Sequence, residues 1–241
     1  YDKFMAVDDY HRMKLFSKVF NEVDMNSRGD GVGLGTKIGA ALLAGLRMAG
    51  DVTYGAADIV HNIDCVLLTH LHLDHIDDAA YKLLSKSVHI FVQDEQDRNT
   101  VLSHGFTHVE IIGEDSRFDD IRLSKTESHH GHWWMLPAAG HTCGYVLRHE
   151  TEPVCYLAGD TIWYCGVRRN IDRWSPQVII VNAGGNKFHL GGHVIMHIPD
   201  VLKAMDYAPA ATFVATHLEG VNHNQVTRVA LREEVMKCGK A

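Results

Sequence analysis

The segment best suited to chemistry is residues 70–75, which read His-Leu-His-Leu-Asp-His. It follows a five-residue apolar run that predicts a buried strand. Imidazole nitrogen and carboxylate oxygen are the ligands that zinc-like ions take when no thiolate is offered. In extended backbone, His70 and His72 project to the same side. Asp74 and His75 follow where the chain must turn, so this one segment can supply ligands to two metal ions.

Three later predicted strands also end in residues that could bind metal. These endings are Ser-His-His-Gly-His at 128–132, Ala-Gly-Asp-Thr at 158–161 and His-Leu-Glu-Gly-Val-Asn-His at 217–223. A single aspartate at a strand end is usually a turn former or a helix cap. Four such endings on one edge of a sheet instead predict a shared site, because α/β sheets bind ligands at the carboxyl ends of their strands.

The elements that must position these residues alternate from about residue 58 onward. Strands are predicted at 66–69, 88–92, 109–112, 121–125, 145–148, 154–158, 178–181 and 212–216. Helices are predicted at 77–85, 94–104 and 199–207, and a last helix is predicted to run from a cap at Asn224 to Lys237. A hairpin turn is predicted at 150–153. The pattern is that of an α/β protein with layered helices.

Residues 1–57 have a different pattern from the remainder. We predict a helix at 8–23, a glycine-rich loop at 26–35 and a packed apolar helix at 39–49, which is too short to span a bilayer. The glycines of the loop do not match a dinucleotide-binding fingerprint, because their spacing is wrong and no strand precedes them.

Composition restricts the class of protein. The 241 residues are 46% hydrophobic and 22% charged, as expected for a globular protein with an ample core, and this length fits one large domain or two small ones. The formal charge of −7 argues against a nucleic-acid partner bound through a basic surface. The five cysteines form no C-x-x-C pair and there is no signal-peptide pattern, so we expect reduced thiols and a cytoplasmic protein.

Taken together, the histidine-rich segment, the later His-Gly, the Ala-Gly-Asp-Thr and the strand-terminal histidine resemble the metallo-β-lactamase superfamily. The resemblance covers about residues 60–232. This stretch of the chain is similar to the branch that holds ascorbate-6-phosphate lactonase and the phospholipase D acting on N-acyl phosphatidylethanolamine. The resemblance implies a four-layer αββα sandwich over residues 58–241. Members of the superfamily usually open with two or more strands. Because residues 1–57 have a helical, glycine-interrupted pattern, we expect the N-terminal strands to be atypical or missing.

The resemblance also implies two divalent ions, with zinc as the default and Mn²⁺ or Fe²⁺ possible. The implied ligands of the first ion are His70, His72 and His130. The implied ligands of the second ion are Asp74, His75 and His217. Asp160 would bridge the two ions, and Asp74 and Asp160 are the expected catalytic residues.

His141 is a rival to His130, because Gly140-His141-Thr142 is similar to a ligand motif of other branches. We prefer His130, which directly follows a predicted strand and is backed by Gly131. His223 either touches the substrate or anchors its own loop, and both alternatives stay open.

The expected function is that of a metal-dependent hydrolase in which a hydroxide held by two metals attacks a small ester, lactone or phosphoester. The alternatives are a phosphodiesterase or nuclease-type member, and a non-catalytic metal-binding scaffold. No G-x-S-x-G motif points to a serine nucleophile. We expect a small-molecule substrate and no membrane span, and homo-oligomerisation is left open.

Overall fold

The computed structural model of the protein describes residues 4–6, 63–188, 191–219 and 223–240. The helices predicted at 8–23 and 39–49 and the loop at 26–35 lie outside these ranges. Within them, no helix is both long enough and apolar enough to cross a membrane. The five cysteines are free thiols.

The described residues form twelve strands and six helices. The strands are Phe4–Ala6 (β1), Cys65–Leu67 (β2), His89–Val92 (β3), His108–Ile111 (β4), Ser116–Phe118 (β5), Ile121–Glu127 (β6), Cys143–Arg148 (β7), Cys155–Leu157 (β8), Val178–Asn182 (β9), Lys187–Phe188 (β10), Gly192–His193 (β11) and Thr212–Thr216 (β12). The helices are Asp78–Leu83 (α1), Glu95–Ser103 (α2), Leu136–Ala139 (α3), Cys165–Trp174 (α4), Ile198–Tyr207 (α5) and Arg228–Lys237 (α6).

Two main sheets and one short hairpin are built from these strands. The large sheet has the order β1-β12-β9-β8-β7-β6-β5, and the small sheet has the order β2-β3-β4. Strands β10 and β11 pair as a separate antiparallel hairpin. In the large sheet β6, β7 and β8 are successively antiparallel, whereas β8, β9 and β12 are parallel. Strands β6, β8, β9 and β12 therefore all end at the same edge.

Three apolar clusters arrange the described residues in four layers. One lies between the large sheet and helices α4, α5 and α6, and includes Phe213 and Val201. A second lies between the two sheets and includes Phe91 and Tyr145. The third lies between the small sheet and helices α1 and α2. Since both faces of each sheet are covered, strands such as β9 are buried along their whole length. The αββα sandwich expected from the resemblance is confirmed.

The strands and helices predicted from about residue 58 onward are found, with shifts of a few residues at their ends, and the predicted hairpin joins β7 to β8. The prediction of a cap at Asn224 is wrong: α6 begins at Arg228, and the side chain of Thr227 accepts from the backbone N–H of Ala230. The prediction of a single sheet edge is also wrong, because β2 belongs to the small sheet and the other three endings to the large one.

Six of the described elements were not predicted, namely β1, β5, β10, β11, α3 and α4, and two of them are informative. Helix α4 has Tyr164 at its N-cap and makes no side-chain capping bond there, so its start has no sequence signal. Strand β1 pairs in parallel with β12, which places a strand within the segment that we predicted to be helical and glycine-rich.

Candidate metal centre

The loop after β2 directs four of its side chains, those of His70, His72, Asp74 and His75, toward the end of the large sheet. The Thr69 hydroxyl lies 3.0 Å from Nδ1 of His70 and 3.5 Å from Nδ1 of His75. These contacts orient both rings so that the opposite nitrogen, Nε2, faces inward. Both rings are buried. A local hydroxyl thus presets two imidazoles that the sequence pattern alone had identified as candidate ligands.

The first group of candidate ligands is His70, His72 and His130, which offer ring nitrogens within 4.8 Å of one another. Nε2 of His70 is 3.0 Å from Nδ1 of His72. Nδ1 of His130 lies 2.9 Å from the carbonyl oxygen of Val194, which leaves its Nε2 for the centre. Gly131 has φ of +109°, the conformation for which a glycine was expected beside His130.

The second group is Asp74, His75 and His217, which meet the same distance condition. Oδ2 of Asp74 lies 3.2 Å from Nε2 of His217. The rings of His75 and His217 stack with their centroids 5.1 Å apart. The structure therefore brings together a mixed nitrogen and oxygen set of the kind that zinc, manganese and iron accept.

Asp160 lies between the two groups and is almost fully buried. Its Oδ2 is 3.3 Å from Nε2 of His75, 3.6 Å from Nε2 of His130 and 3.7 Å from Nε2 of His70. Its Oδ1 is 3.9 Å from Nε2 of His217. One carboxylate thus faces ligands of both groups, as a bridging residue must.

The charges of the cluster suit a cation. Burial opposes ionisation of Asp160, yet the imidazoles of His75 and His217 hold the pKa of its carboxyl well below the usual range. Burial lowers the pKa of His70, which keeps that ring neutral. Burial also opposes a charge on His217, but the carboxylates of Asp160 and Asp74 raise its pKa to about 9. A metal binding at His217 would therefore have to displace a proton.

Two buried nitrogens test whether a metal fits these residues. Nε2 of His75 and Nε2 of His217 are buried. Each lies near a carboxylate oxygen, but among the described residues neither nitrogen has a hydrogen-bond partner. An unsatisfied buried polar atom costs about 1–3 kcal/mol. A cation placed between these nitrogens and the carboxylates would satisfy both, so the donor set fits divalent ions.

The loop after β9 supports the centre through Asn182 and Gly184. The Asn182 amide donates to Oδ1 of Asp160 over 2.5 Å. This fixes the carboxylate that faces both groups. A Cβ at Gly184 would clash with the carbonyl of His217, so only glycine allows this loop to pass so close to that ligand. The sequence did not reveal the role of Asn182, because an amide at a strand end has many uses.

His217 itself has an unusual backbone that is stabilised by Asn224. Its φ is +57°, a left-handed conformation that costs a non-glycine residue about 1–2 kcal/mol. Nδ2 of Asn224 donates to the carbonyls of His217 and Leu218 and lies 3.0 Å from Nδ1 of the His217 ring. Asn224 therefore positions a candidate ligand. It does not cap α6, contrary to the prediction.

We predict that Asn224→Ala weakens binding of Zn²⁺ by about 10–100-fold, because the ring and backbone of the candidate ligand His217 lose their support. Thr227→Ala is the matched control, since it removes the cap of α6, costs about 1 kcal/mol of stability and touches no ligand. Calorimetric titration of both variants with Zn²⁺ measures the difference. Equal zinc affinities in the two variants would contradict the positioning role of Asn224.

The structure places His141 away from this centre. Its Nδ1 lies 3.3 Å from Asp94 and its Nε2 3.4 Å from Asp97, at the start of α2. The amide of Gln93 donates to the other oxygen of Asp97 and to the His141 carbonyl. These three acidic and imidazole groups could also hold a metal by distance alone. Both ring nitrogens of His141 already face carboxylates, however, so the cluster is satisfied as a set of ion pairs.

The remaining histidines of the motifs have separate places. His129 stacks on Tyr164 and pairs with Glu127, while His132 is exposed. Nε2 of half-exposed His223 lies 3.4 Å from Oδ2 of Asp74, at the edge of the second group. Of the two alternatives for His223, this position is compatible with contact to a substrate.

The fold and this cluster define a class of protein, the metallo-hydrolases of the metallo-β-lactamase type. A family model described as the β-lactamase superfamily domain matches residues 46–218. The chain belongs to the β-lactamase superfamily, which confirms the resemblance predicted from the motifs, and it is a metal-dependent hydrolase of that superfamily.

Individual relatives are similar over most of the chain. The UPF0173 protein YddR of Bacillus subtilis is 39% identical over 176 residues, which cover 73% of this chain and 69% of that protein. The structure of a possible metal-dependent hydrolase from Veillonella parvula is 34% identical with a TM-score of 0.76. The match covers 79% of this chain and 75% of the Veillonella chain. The structure of an isothiocyanate hydrolase from Delia radicum gut bacteria is 33% identical with a TM-score of 0.74. The match covers 78% of this chain and 74% of the isothiocyanate hydrolase chain.

Proposed function

We propose that the protein hydrolyses a small ester, lactone or phosphoester at a centre of two divalent metal ions. The observation that carries this proposal is the position of Asp160, whose two carboxylate oxygens face both groups of candidate ligands. The two buried and unsatisfied ring nitrogens of His75 and His217 support it. The location of the protein is proposed to be the cytoplasm, as its free cysteines suggest.

The ligands proposed for the two positions are those implied by the resemblance. The first ion would be held by His70, His72 and His130. The second ion would be held by Asp74, His75 and His217. Asp160 would contact both. Divalent ions bound there, with zinc as the default, would supply Lewis acidity and a nucleophile derived from water at neutral pH.

The protein side chains would do the rest. Asp160, ionised and fixed by Asn182, would set the separation of the two positions and accept a hydrogen bond from the attacking water. In ester hydrolysis the water oxygen bonds to the acyl carbon, the bond to the alkoxy oxygen breaks, and the leaving oxygen takes the remaining proton. His223 lies 3.4 Å from Asp74 at the edge of the centre, where its imidazole would deliver that proton.

The test is a turnover screen with phenyl acetate, a γ-lactone and bis(p-nitrophenyl) phosphate. We expect turnover of at least one of these substrates to disappear after chelation and to return when Zn²⁺ or Mn²⁺ is added. Turnover of the phosphodiester alone would favour the phosphodiesterase alternative. Metal binding without any turnover would favour the non-catalytic scaffold and contradict the proposal.

A second candidate substrate comes from one structural relative. The protein from Delia radicum gut bacteria is an isothiocyanate hydrolase by its name, and it aligns with 78% of this chain at 33% identity. In this reaction water oxygen adds to the central carbon, the carbon–nitrogen bond breaks, and amine and carbonyl sulfide leave. Adding benzyl isothiocyanate to the same screen tests this candidate, with amine release as the readout.

A further inference from the structure

Three of the exposed large apolar side chains among the described residues lie on segments that carry candidate ligands, and a fourth lies on the β10–β11 hairpin. Leu73, between two ligands of the first motif, is 79% exposed. Trp133 and Trp134, just after His130, are 78% and 52% exposed. Phe188, in the hairpin strand β10, is 42% exposed. Exposed tryptophan is an amphipathic surface of the kind that lines small-molecule sites. We call Leu73, Trp133, Trp134 and Phe188 the apolar rim.

The rim is tied to the metal centre by the hairpin of β10 and β11. A Cβ built at Gly191 would lie 2.7 Å from Cη2 of Trp134, so the indole packs directly against this hairpin. Val194 directly follows β11, and its carbonyl accepts the hydrogen bond from the ring of His130. One structural unit thus contacts both a rim tryptophan and a candidate ligand.

Fixed positive charge is scarce in the same loops. The sequences 70–76, 128–135, 158–164, 182–194 and 216–226 contain one lysine, Lys187, and no arginine. Proteins that bind a phosphate or carboxylate group of a substrate commonly use the guanidinium fork or an ammonium for it. These loops offer aromatic surface instead. They are suited to a substrate whose body is neutral.

We infer that the substrate is an uncharged electrophile with an aromatic or branched aliphatic body, which lies against Trp133 and Trp134 while its reacting carbon faces Asp160. This rests on the proposed function. It selects the ester, lactone and isothiocyanate substrates over phosphoesters, because the body is recognised by burial of apolar area and the five loops carry one lysine and no arginine.

Binding of matched hydroxamates to the metal-loaded protein tests the inference without turnover. Acetohydroxamate and benzohydroxamate share one metal-binding group and differ in the body, and 4-carboxybenzohydroxamate adds a negative charge. We expect benzohydroxamate to bind at least about tenfold more tightly than acetohydroxamate. We expect the added carboxylate to abolish most of that gain.

The rim variants locate the effect. Trp133→Ala and Trp134→Ala should reduce the preference for benzohydroxamate several-fold, whereas Trp133→Phe should keep most of it. Met236→Ala is the matched control, because Met236 is 61% exposed on α6, which bears none of the rim residues. Equal affinity of the wild type for the two simple hydroxamates, or an unchanged preference in both alanine variants, would overturn the inference alone. Failure of every hydroxamate to bind a metal-loaded protein would overturn the proposed function with it.

Discussion

Replacing Asp160 by asparagine or alanine is expected to reduce metal-dependent turnover by roughly a hundredfold or more. The carboxylate faces ring nitrogens of both groups, and without its charge the two proposed cations would repel each other across a neutral side chain. Asparagine keeps the volume, so a loss in Asp160→Asn reflects charge and not a cavity. Rates at saturating metal, together with metal content, measure the effect.

Asp115→Asn provides the control for this substitution. Asp115 is an exposed aspartate that precedes β5 and pairs with Arg148, and it belongs to neither group of candidate ligands. We expect Asp115→Asn to keep normal turnover and metal content. Near wild-type rates in Asp160→Asn on any substrate of the protein would refute the bridging role of Asp160.

The second large effect concerns His130 and His141. His130→Ala is expected to lose one metal ion and most activity, because the Nε2 atom in the first group disappears and the hydrogen bond to Val194 goes with it. His141→Ala is expected to retain both ions, since it removes only ion pairs with Asp94 and Asp97. Elemental analysis of the two purified proteins compares them directly.

Thermal unfolding separates the two roles further. Both variants should unfold at a lower temperature than the wild type when metal-free, but only the His141 variant should be stabilised by Zn²⁺ as strongly as the wild type. If the His141 variant loses an ion and the His130 variant keeps both, the two assignments must be exchanged.

The strand pattern and the motifs could be read from the sequence because each depends on local signals. A buried strand followed by His-x-His-x-Asp-His identifies the first loop, and the short apolar runs identify β9 and β12. The alternation of strands and helices is sufficient for the class of fold. The convergence of the four strand endings followed from this topology, although through two sheets and not one.

The contacts that support the centre could not be predicted in the same way. Asn224 stands where a helix cap is expected, and only the path of the chain shows that its amide reaches the backbone of His217. His141 lies in a glycine-flanked motif like that of a ligand, but Asp94 and Asp97 from another element hold it elsewhere. Both cases depend on which loops meet in space, and a local pattern carries no information on that.

The most direct test of the account is the number of divalent ions bound per chain. Protein purified without chelator, supplied with Zn²⁺ and freed of excess metal should contain two ions per chain by elemental analysis. Titration of the metal-free protein should reach the same number, with Asp160→Asn falling short of it. A wild-type chain that holds one ion or none under these conditions would contradict the two-metal centre.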